Sequence, residues 1–274
     1  MLSATIIPTG RTKLFPVIGD PIGQVRSPEV LTKIMVARGH DAMTVPMHLA
    51  SSQVSNCFRL LQHISNVQGI LVTIPHKKLA YEVCNTVSDR ARFVGAVNVV
   101  RRTVEGWHGE NTDGVGYLDG LERENFFVRD RQVLLVGCGG AGSAIALELL
   151  ERGAASVAIH DTGTVKRDKV VRQLSVSFPG RVAVGSNDPS GFDLVANATP
   201  MGMREEDPYP VEVSLLQPSQ FIACVVTKPE VPPLIAEARK LGCRTMTGGQ
   251  MFDAQADILA DLLAGPEESS ILSL

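Results

Sequence analysis

Gln132-Val133-Leu134-Leu135-Val136-Gly137-Cys138-Gly139-Gly140-Ala141-Gly142-Ser143-Ala144-Ile145-Ala146 is the stretch whose reading decides the fold. Its first five residues form a short apolar run of the kind a buried parallel strand uses. Residues 137–142 fit G-x-G-x-x-G, and an Ala/Leu-rich segment from Ala141 to Arg152 reads as a helix. The first glycine permits a tight turn, and the second lets backbone approach a pyrophosphate. The third allows close helix-to-strand packing. The helix start adds amide donors and the positive end of the helix dipole. Glycine-rich turns also serve packing alone, so the strand before and the helix after are what give the motif weight. Ser156 to His160 reads as the next strand, making residues 132–160 one βαβ unit. Asp161 ends that strand, about 20 residues past the turn, where a carboxylate accepts the ribose hydroxyls of a dinucleotide. Its charge repels a 2′-phosphate, and Thr162-Gly163 offers no arginine to neutralise one. Arg167 stands further on, on a helix that faces solvent. NAD is therefore expected over NADP.

Outward from this unit, apolar segments alternate with turn signals, which predicts strands alternating with helices in α/β layers. Leu14 to Ile18 reads as a strand ended by Gly19-Asp20-Pro21. Ser27-Pro28 reads as an N-cap followed by proline at the first helical position, opening a helix to about Arg38. Ala42 to His48 is a strand, Ser51 to Ile64 a serine-capped helix, and Gly69 to Ile74 a strand halted by Pro75. Ala96 to Arg101 and the turn at Glu105-Gly106 predict a hairpin, and a polar loop follows from Gly109 to Asp113. A helix from about Val115 to Asn125 leads away from this first unit. Beyond the glycine turn, strands are expected at Val182 to Val184, Leu194 to Asn197 and Phe221 to Val226. A last helix from about Met251 to Leu263 follows Gly248-Gly249.

Composition narrows the classes. With 274 residues, 44% hydrophobic and 20% charged, the chain has the balance of a soluble enzyme of one or two domains. A net charge of −3 and scattered basic residues give no attraction to nucleic acid or anionic membrane. No apolar run reaches the length of a membrane span, and Met1 to Gly10 lacks the pattern of a secretion leader. Cys57, Cys84, Cys138, Cys224 and Cys243 form no CxxC pair, and the histidines are dispersed. The expectation is reduced, core-filling thiols in the cytoplasm, and no metal site.

Several further segments line up with one family. Gly19-Asp20-Pro21-Ile22 with Ser27-Pro28, Val72-Thr73-Ile74-Pro75-His76-Lys77, Gly95-Ala96-Val97-Asn98 and Asn111-Thr112-Asp113-Gly114 stand in order along the N-terminal half. Asn197-Ala198-Thr199 and the pair Met251 and Gln255 follow. Each piece alone is common. Together, in order over about residues 15–260, they resemble the signatures of the shikimate/quinate dehydrogenase family. The resemblance implies an N-terminal α/β substrate-binding and catalytic domain, residues 1–112 with 250–274. It also implies a Rossmann-type NAD(P)-binding domain, residues 113–249, with the substrate in the cleft between them. By motif match, Lys77 and Asp113 correspond to the catalytic pair. Asn98 and Gln255 correspond to groups holding substrate hydroxyls, and Ser27 and Thr73 to the carboxylate end. Gly137, Gly139, Gly140, Ala141, Gly142, Asp161, Asn197, Thr199, Met201, Gly248 and Met251 are the expected cofactor residues. Met201 and Met251 serve either as packing on the nicotinamide ring or as core filling.

The implied reaction interconverts a ring hydroxyl and a ketone of shikimate, quinate or a related cyclic hydroxy acid. The cofactor carries the hydride and the protein must move the proton. A lysine with the ordinary pKa near 10.4 donates readily in the direction of reduction, and it serves as a base only where burial or a neighbouring cation favours its neutral form. Lys78, beside Lys77, is assigned to solvent.

The pattern is incomplete at the substrate end. The family's S-x-S-P reads Val25-Arg26-Ser27-Pro28, so one hydroxyl donor to the substrate carboxylate is replaced by an apolar side chain. The histidine usual before that pair is Gln24, the asparagine before V-T-x-P-x-K is Leu71, and D-x-x-Y becomes Cys224 and Thr227. Losing a hydrogen bond to a charged group costs about 1.5–3 kcal/mol. The expectation is retained alcohol/ketone chemistry with altered or weakened substrate preference. The alternative is a non-catalytic NAD-binding paralogue that has lost efficient turnover. A methyltransferase reading of the glycine turn leaves the N-terminal signature unexplained. The expected partner is a small molecule, and the chain is compatible with a monomer or a homodimer.

Overall fold

The computed structural model describes residues 7–265. Met1 to Ile6, part of the stretch read as lacking a leader, lie outside the described residues, as does the end of the 250–274 segment. The chain divides into two compact units, Met1–Thr112 with Ala256–Leu274, and Asp113–Gln255. The division falls inside the last helix, not at its start.

The first unit carries β1 (Lys13–Gly19), α1 (Ser27–Ala37), β2 (Ala42–His48), α2 (Val54–Leu61), β3 (Gly69–Val72) and α3 (Lys77–Val83). It continues with β4 (Thr86–Val87), α4 (Asp89–Val94), β5 (Val99–Thr103) and β6 (Gly106–Glu110). Its sheet has the order β2-β1-β3-β5-β6-β4. The β2, β1 and β3 strands are parallel, and the expected hairpin appears as antiparallel β5 and β6. The core packs Ile18, Ile70 and Val72 of the sheet against Val54, Phe58 and Leu61 of α2, with Trp107 of β6 beside them.

Trp107 is anchored on three sides. Its indole N–H donates to the Phe58 carbonyl at 3.1 Å, and its ring meets Phe58 edge-on at 6.2 Å. The Arg102 guanidinium lies over it, 4.9 Å from the ring centroid. That guanidinium also donates to the carbonyls of Leu61, Gln62, Ile64 and Val67, which satisfies acceptors left open where α2 ends.

Two caps differ from the sequence expectation. Arg26, not Ser27, occupies the N-cap of α1, and proline sits in its first turn. Ser51 begins a single 3₁₀ turn, Ser51–Gln53, before α2 proper, with no side-chain cap. The strand expected to run to Ile74 stops at Val72.

The second unit carries α5 (Asp113–Arg123), β7 (Gln132–Val136), α6 (Gly140–Glu151), β8 (Ser156–His160), α7 (Thr164–Ser177) and β9 (Val182–Val184). Then come β10 (Leu194–Asn197), β11 (Phe221–Cys224), α8 (Pro233–Lys240), β12 (Arg244–Met246) and α9 (Gly248–Ala264), the last shared between the units. The strand order is β12-β11-β10-β7-β8-β9, all parallel. This is the doubly wound α/β sheet the glycine turn predicts, with β7 buried along four of its five residues. Every residue of α6 from Gly142 to Leu150 is buried, as befits a helix apolar on nearly all sides.

Replacing Trp107 by alanine removes a fully packed ring and orphans the Arg102 stack. We expect a loss of about 3–5 kcal/mol, read as a fall in the urea midpoint without a change of slope.

Candidate active site

In each unit some of the expected residues follow the strands that flank the point where the strand order reverses. In open α/β sheets the crevice beyond the carboxyl ends of the strands at such a point is where ligands bind. In the second unit the reversal lies between β7 and β10, since β8 and β9 extend one way and β11 and β12 the other. The glycine turn leaves β7 there, and Asn197-Ala198-Thr199 leaves β10 beside it.

Sterics make the turn. Gly137 has φ +92°, a left-handed conformation that favours glycine, and a Cβ on it would sit 2.7 Å from the Thr199 methyl. A Cβ on Gly142 would fall 2.1 Å from the Gly137 carbonyl oxygen. Gly139, by contrast, faces open space, and a Cβ there would meet nothing within 4 Å. The backbone thus closes tightly at both ends and stays open in the middle, next to the first turn of the twelve-residue α6. An open backbone cradle at a helix N-terminus fits a pyrophosphate, and Gly137, Gly139, Gly140, Ala141 and Gly142 are the residues that would hold one.

Asn197 is fully buried, and its side chain organises its own loop. Its Oδ1 accepts from the Thr199 N–H at 3.0 Å and the Thr199 hydroxyl at 2.6 Å. Its Nδ2 donates to the Met201 carbonyl at 3.3 Å and to Cys224 Sγ at 3.2 Å. Cys224, standing where the family has aspartate, is therefore an acceptor for Asn197, and burial pushes its thiol pKa up. Met201 is half-buried and Met251 buried. Gly248 lies under the end of β11, where a Cβ would come within 2.4 Å of the Val225 carbonyl.

Asp161 is placed at the end of β8, but it is not the bare carboxylate expected. Its Oδ2 accepts from the Cys138 N–H at 2.9 Å and its Oδ1 from the Gly163 N–H at 2.8 Å. The Lys166 ammonium pairs with Oδ2 at 3.0 Å. Burial pushes the carboxyl up, but these donors outweigh it and hold the pKa at about 2. The nearest neutralising group is thus a lysine on the first turn of α7. Arg167, expected to be solvated, is only 17% exposed at its side chain and pairs with Asp168. Cys138 is kept a neutral thiol by burial and by the Asp161 charge, which push it up to about 12.

In the first unit the reversal lies between β1 and β3. Thr73 follows β3, its N–H bonding the Ile18 carbonyl at 3.0 Å, and its methyl fills the space a Cβ on Gly19 would need. Lys77 opens α3, half-buried, and its carbonyl accepts the Val97 N–H at 3.0 Å. The Asn98 carbonyl accepts the Val72 N–H at 2.8 Å, so Thr73, Lys77 and Asn98 share one end of the sheet. The Asn98 side chain is buried, giving its Nδ2 to the Thr112 hydroxyl at 3.0 Å and taking the Thr112 N–H at 2.9 Å. Ser27 is buried at the start of α1. Lys78 is 79% exposed, beside Glu82. Leu71, where the family has asparagine, lies in the core.

Asp113 is buried as the first residue of α5, where a carboxylate gains from the helix dipole. Gln255 is buried on α9, and Gly116 of α5 makes room for it, since a Cβ there would lie 2.6 Å from Gln255 Cβ. Among the described residues no group of three or more His, Cys, Asp or Glu could hold a metal ion, and no helix is long and apolar enough to cross a membrane.

A doubly wound unit with a dinucleotide-type turn, joined to a second α/β unit, has the architecture of a two-domain NAD(P)-dependent oxidoreductase, the class to which its relatives belong. Residues 17–100 match the shikimate dehydrogenase substrate binding domain. The chain is 30% identical over 268 residues to a shikimate dehydrogenase (NADP(+)) of Geobacter metallireducens, covering 94% of this chain and 93% of that protein. It matches the solved shikimate dehydrogenase of Aquifex aeolicus with a TM-score of 0.86 at 25% identity, over 97% of this chain and 100% of that one. A quinate dehydrogenase from Corynebacterium glutamicum in complex with NAD matches with a TM-score of 0.83 at 26% identity, over 96% and 99%. The chain belongs to the shikimate dehydrogenase family.

Two outcomes follow from the turn. Gly142→Ala forces the Gly137 carbonyl aside and should weaken dinucleotide binding by at least about tenfold, or about 1.4 kcal/mol, and lower the denaturant midpoint of the protein. Asp161 has a folded pKa below its unfolded one, so its stabilisation is complete above about pH 4 and is lost as pH falls toward 2. Asp161→Asn should therefore lower stability at pH 7 and flatten the loss between about pH 4 and 2, followed by denaturant midpoints across that range.

Proposed function

We propose that this enzyme interconverts a ring hydroxyl and a ketone of shikimate, with quinate or a related cyclic hydroxy acid as the other candidate substrate. The observation that supports the reading is that the matched motif segments of Thr73, Lys77 and Asn98 share the end of the first unit's sheet where β3 finishes. The relatives carry the names of shikimate and quinate dehydrogenases. The unit formed by residues 1–112 and the C-terminal helix is assigned to substrate, and the second unit to the dinucleotide.

A bound nicotinamide supplies the hydride chemistry. The chain's own residues bind, orient and move the proton. Lys77 exchanges a proton with the reacting oxygen, donating in reduction and accepting in oxidation. Asp113 is the second member of the proton-transfer pair. Asn98 and Gln255 take the remaining ring hydroxyls, and the Ser27 and Thr73 hydroxyls donate to the carboxylate. Asn98 is held for this by Thr112, and Thr199 by Asn197, so Thr112 and Asn197 act as positioning residues.

The carboxylate end has fewer donors than the family pattern. Val25 is apolar, Gln24 gives its Nε2 to the Pro21 carbonyl at 2.8 Å, and Arg26 is exposed. A negatively charged ligand group then relies on two hydroxyls in place of three. For the cofactor, Asp161 at the end of β8 supports NAD as the preferred dinucleotide, with NADP used less well. The relatives' names include both NADP(+) and NAD.

Lys77→Ala should lower kcat by orders of magnitude with little change in NADH affinity; an unchanged kcat excludes the assignment. Val25→Ser restores a donor and should raise kcat/KM for shikimate by about tenfold. Steady-state kinetics on shikimate and quinate, each with NAD and NADP, measure both variants and settle the substrate.

A further inference from the structure

His76, next to Lys77 in the chain, is fully buried and takes no part in the proposed proton transfer itself. Both nitrogens of its ring meet the turn that follows β2. Nε2 lies 2.5 Å from the Leu49 carbonyl, which can only accept, so Nε2 carries a hydrogen and donates it. Nδ1 faces the Ser51 hydroxyl at 3.4 Å. Leu49 is held in turn, its N–H donating to the Gly19 carbonyl at 3.2 Å. His76 is also the N-cap residue of α3, whose first residue is Lys77, and it gives that helix no side-chain cap. A helix of seven residues has too few internal bonds to fix its own place, so bonds from elsewhere locate it. Here they come from Val97, whose N–H reaches the Lys77 carbonyl at 3.0 Å, and from the His76 ring.

We propose that His76 is a positioning residue for the reaction: its ring ties the start of α3 to the turn after β2 and so sets where Lys77 exchanges its proton. This rests on the assignment of Lys77 above. Proton transfer needs heavy atoms about 2.6–3.2 Å apart, so a shift of the helix start that packing tolerates is enough to slow it. The groups assigned to hold the substrate have anchors of their own. Thr112 fixes the Asn98 side chain, and the Thr73 N–H bonds the Ile18 carbonyl. Loss of the ring contact therefore displaces Lys77 and leaves the binding groups in place. The cost falls on kcat and spares KM.

Two amides at position 76 separate positioning from packing. Gln carries its Nε2 as many bonds from Cα as the imidazole does and keeps a donor on the Leu49 carbonyl; Asn is one methylene shorter and loses it. With shikimate or quinate and NAD or NADP, whichever pair is turned over fastest, His76→Asn should lower kcat by about tenfold or more and change KM by less than about threefold. His76→Gln should keep kcat within about threefold. Competitive acetylation read by peptide mass spectrometry requires no turnover. Half-buried Lys77 should label more slowly than exposed Lys78, and the gap should narrow in His76→Asn but not in His76→Gln. Ser51→Ala cuts only the longer ring contact and should show the same split at about threefold in kcat, which decides the matter if His76→Asn does not fold. Equal losses in both amide variants, losses shared by KM, or no change in kcat and labelling overturn the role of His76 and leave Lys77 standing. An unchanged kcat in Lys77→Ala removes the assignment of Lys77, and this role with it.

Discussion

The second unit depends on one steric constraint, the approach of position 142 to the carbonyl of Gly137. A methyl group at Gly142 would lie 2.1 Å from that oxygen, well inside van der Waals contact. With hydrogen there instead, α6 begins directly after the end of β7, with open space at Gly139 beside its first turn. The same closeness lets the buried α6 lie flat on the sheet. Gly137 completes the arrangement from the other side, where Thr199 leaves room for a hydrogen and no more. A cradle for anionic oxygens is thus a by-product of how tightly a helix can follow a strand.

Asp161 ties that cradle to the next strand. By accepting the Cys138 N–H it fixes the middle of the turn, and by accepting the Gly163 N–H it fixes the start of α7. One carboxylate therefore clamps both the glycine turn and the start of α7. Lys166 balances its charge. The clamp role explains why the carboxyl stays ionised although it is nearly buried, since two amides and an ammonium replace the water it loses.

The first unit builds its end of the chemistry by a different route. No glycine turn is involved; instead the strand reversal between β1 and β3 brings three motif segments to one edge through backbone bonds. Thr112 immobilises the Asn98 side chain by two hydrogen bonds. Leu71 lies in the core and Val25 offers no donor, while Lys77 and Asp113 stand in their motifs unchanged.

Local order was legible in the sequence. The spans of β2, β7, β8, β9 and β10 are those the sequence pattern indicates, and β7 and β10, buried along nearly their whole length, leave a continuous apolar signature. The glycine turn was legible because its conformation is set by residues adjacent in the chain. Short elements were not: α3, α4, β4 and β12 have too few residues for a period to emerge, and they are held by bonds to distant segments, as Asn85 is by Trp107. The start of α1 was misplaced by one residue, since Arg26 and Ser27 differ there only in backbone angles that the wider packing sets. What tertiary structure alone decided is which polar groups are already engaged. Asn197 is satisfied by Thr199, Met201 and Cys224, Asn98 by Thr112, and Asp161 by Lys166. The sequence determined the identity of these side chains, but a hydrogen bond or ion pair depends on distances of about 3 Å, and only the folded chain brings its partners that close.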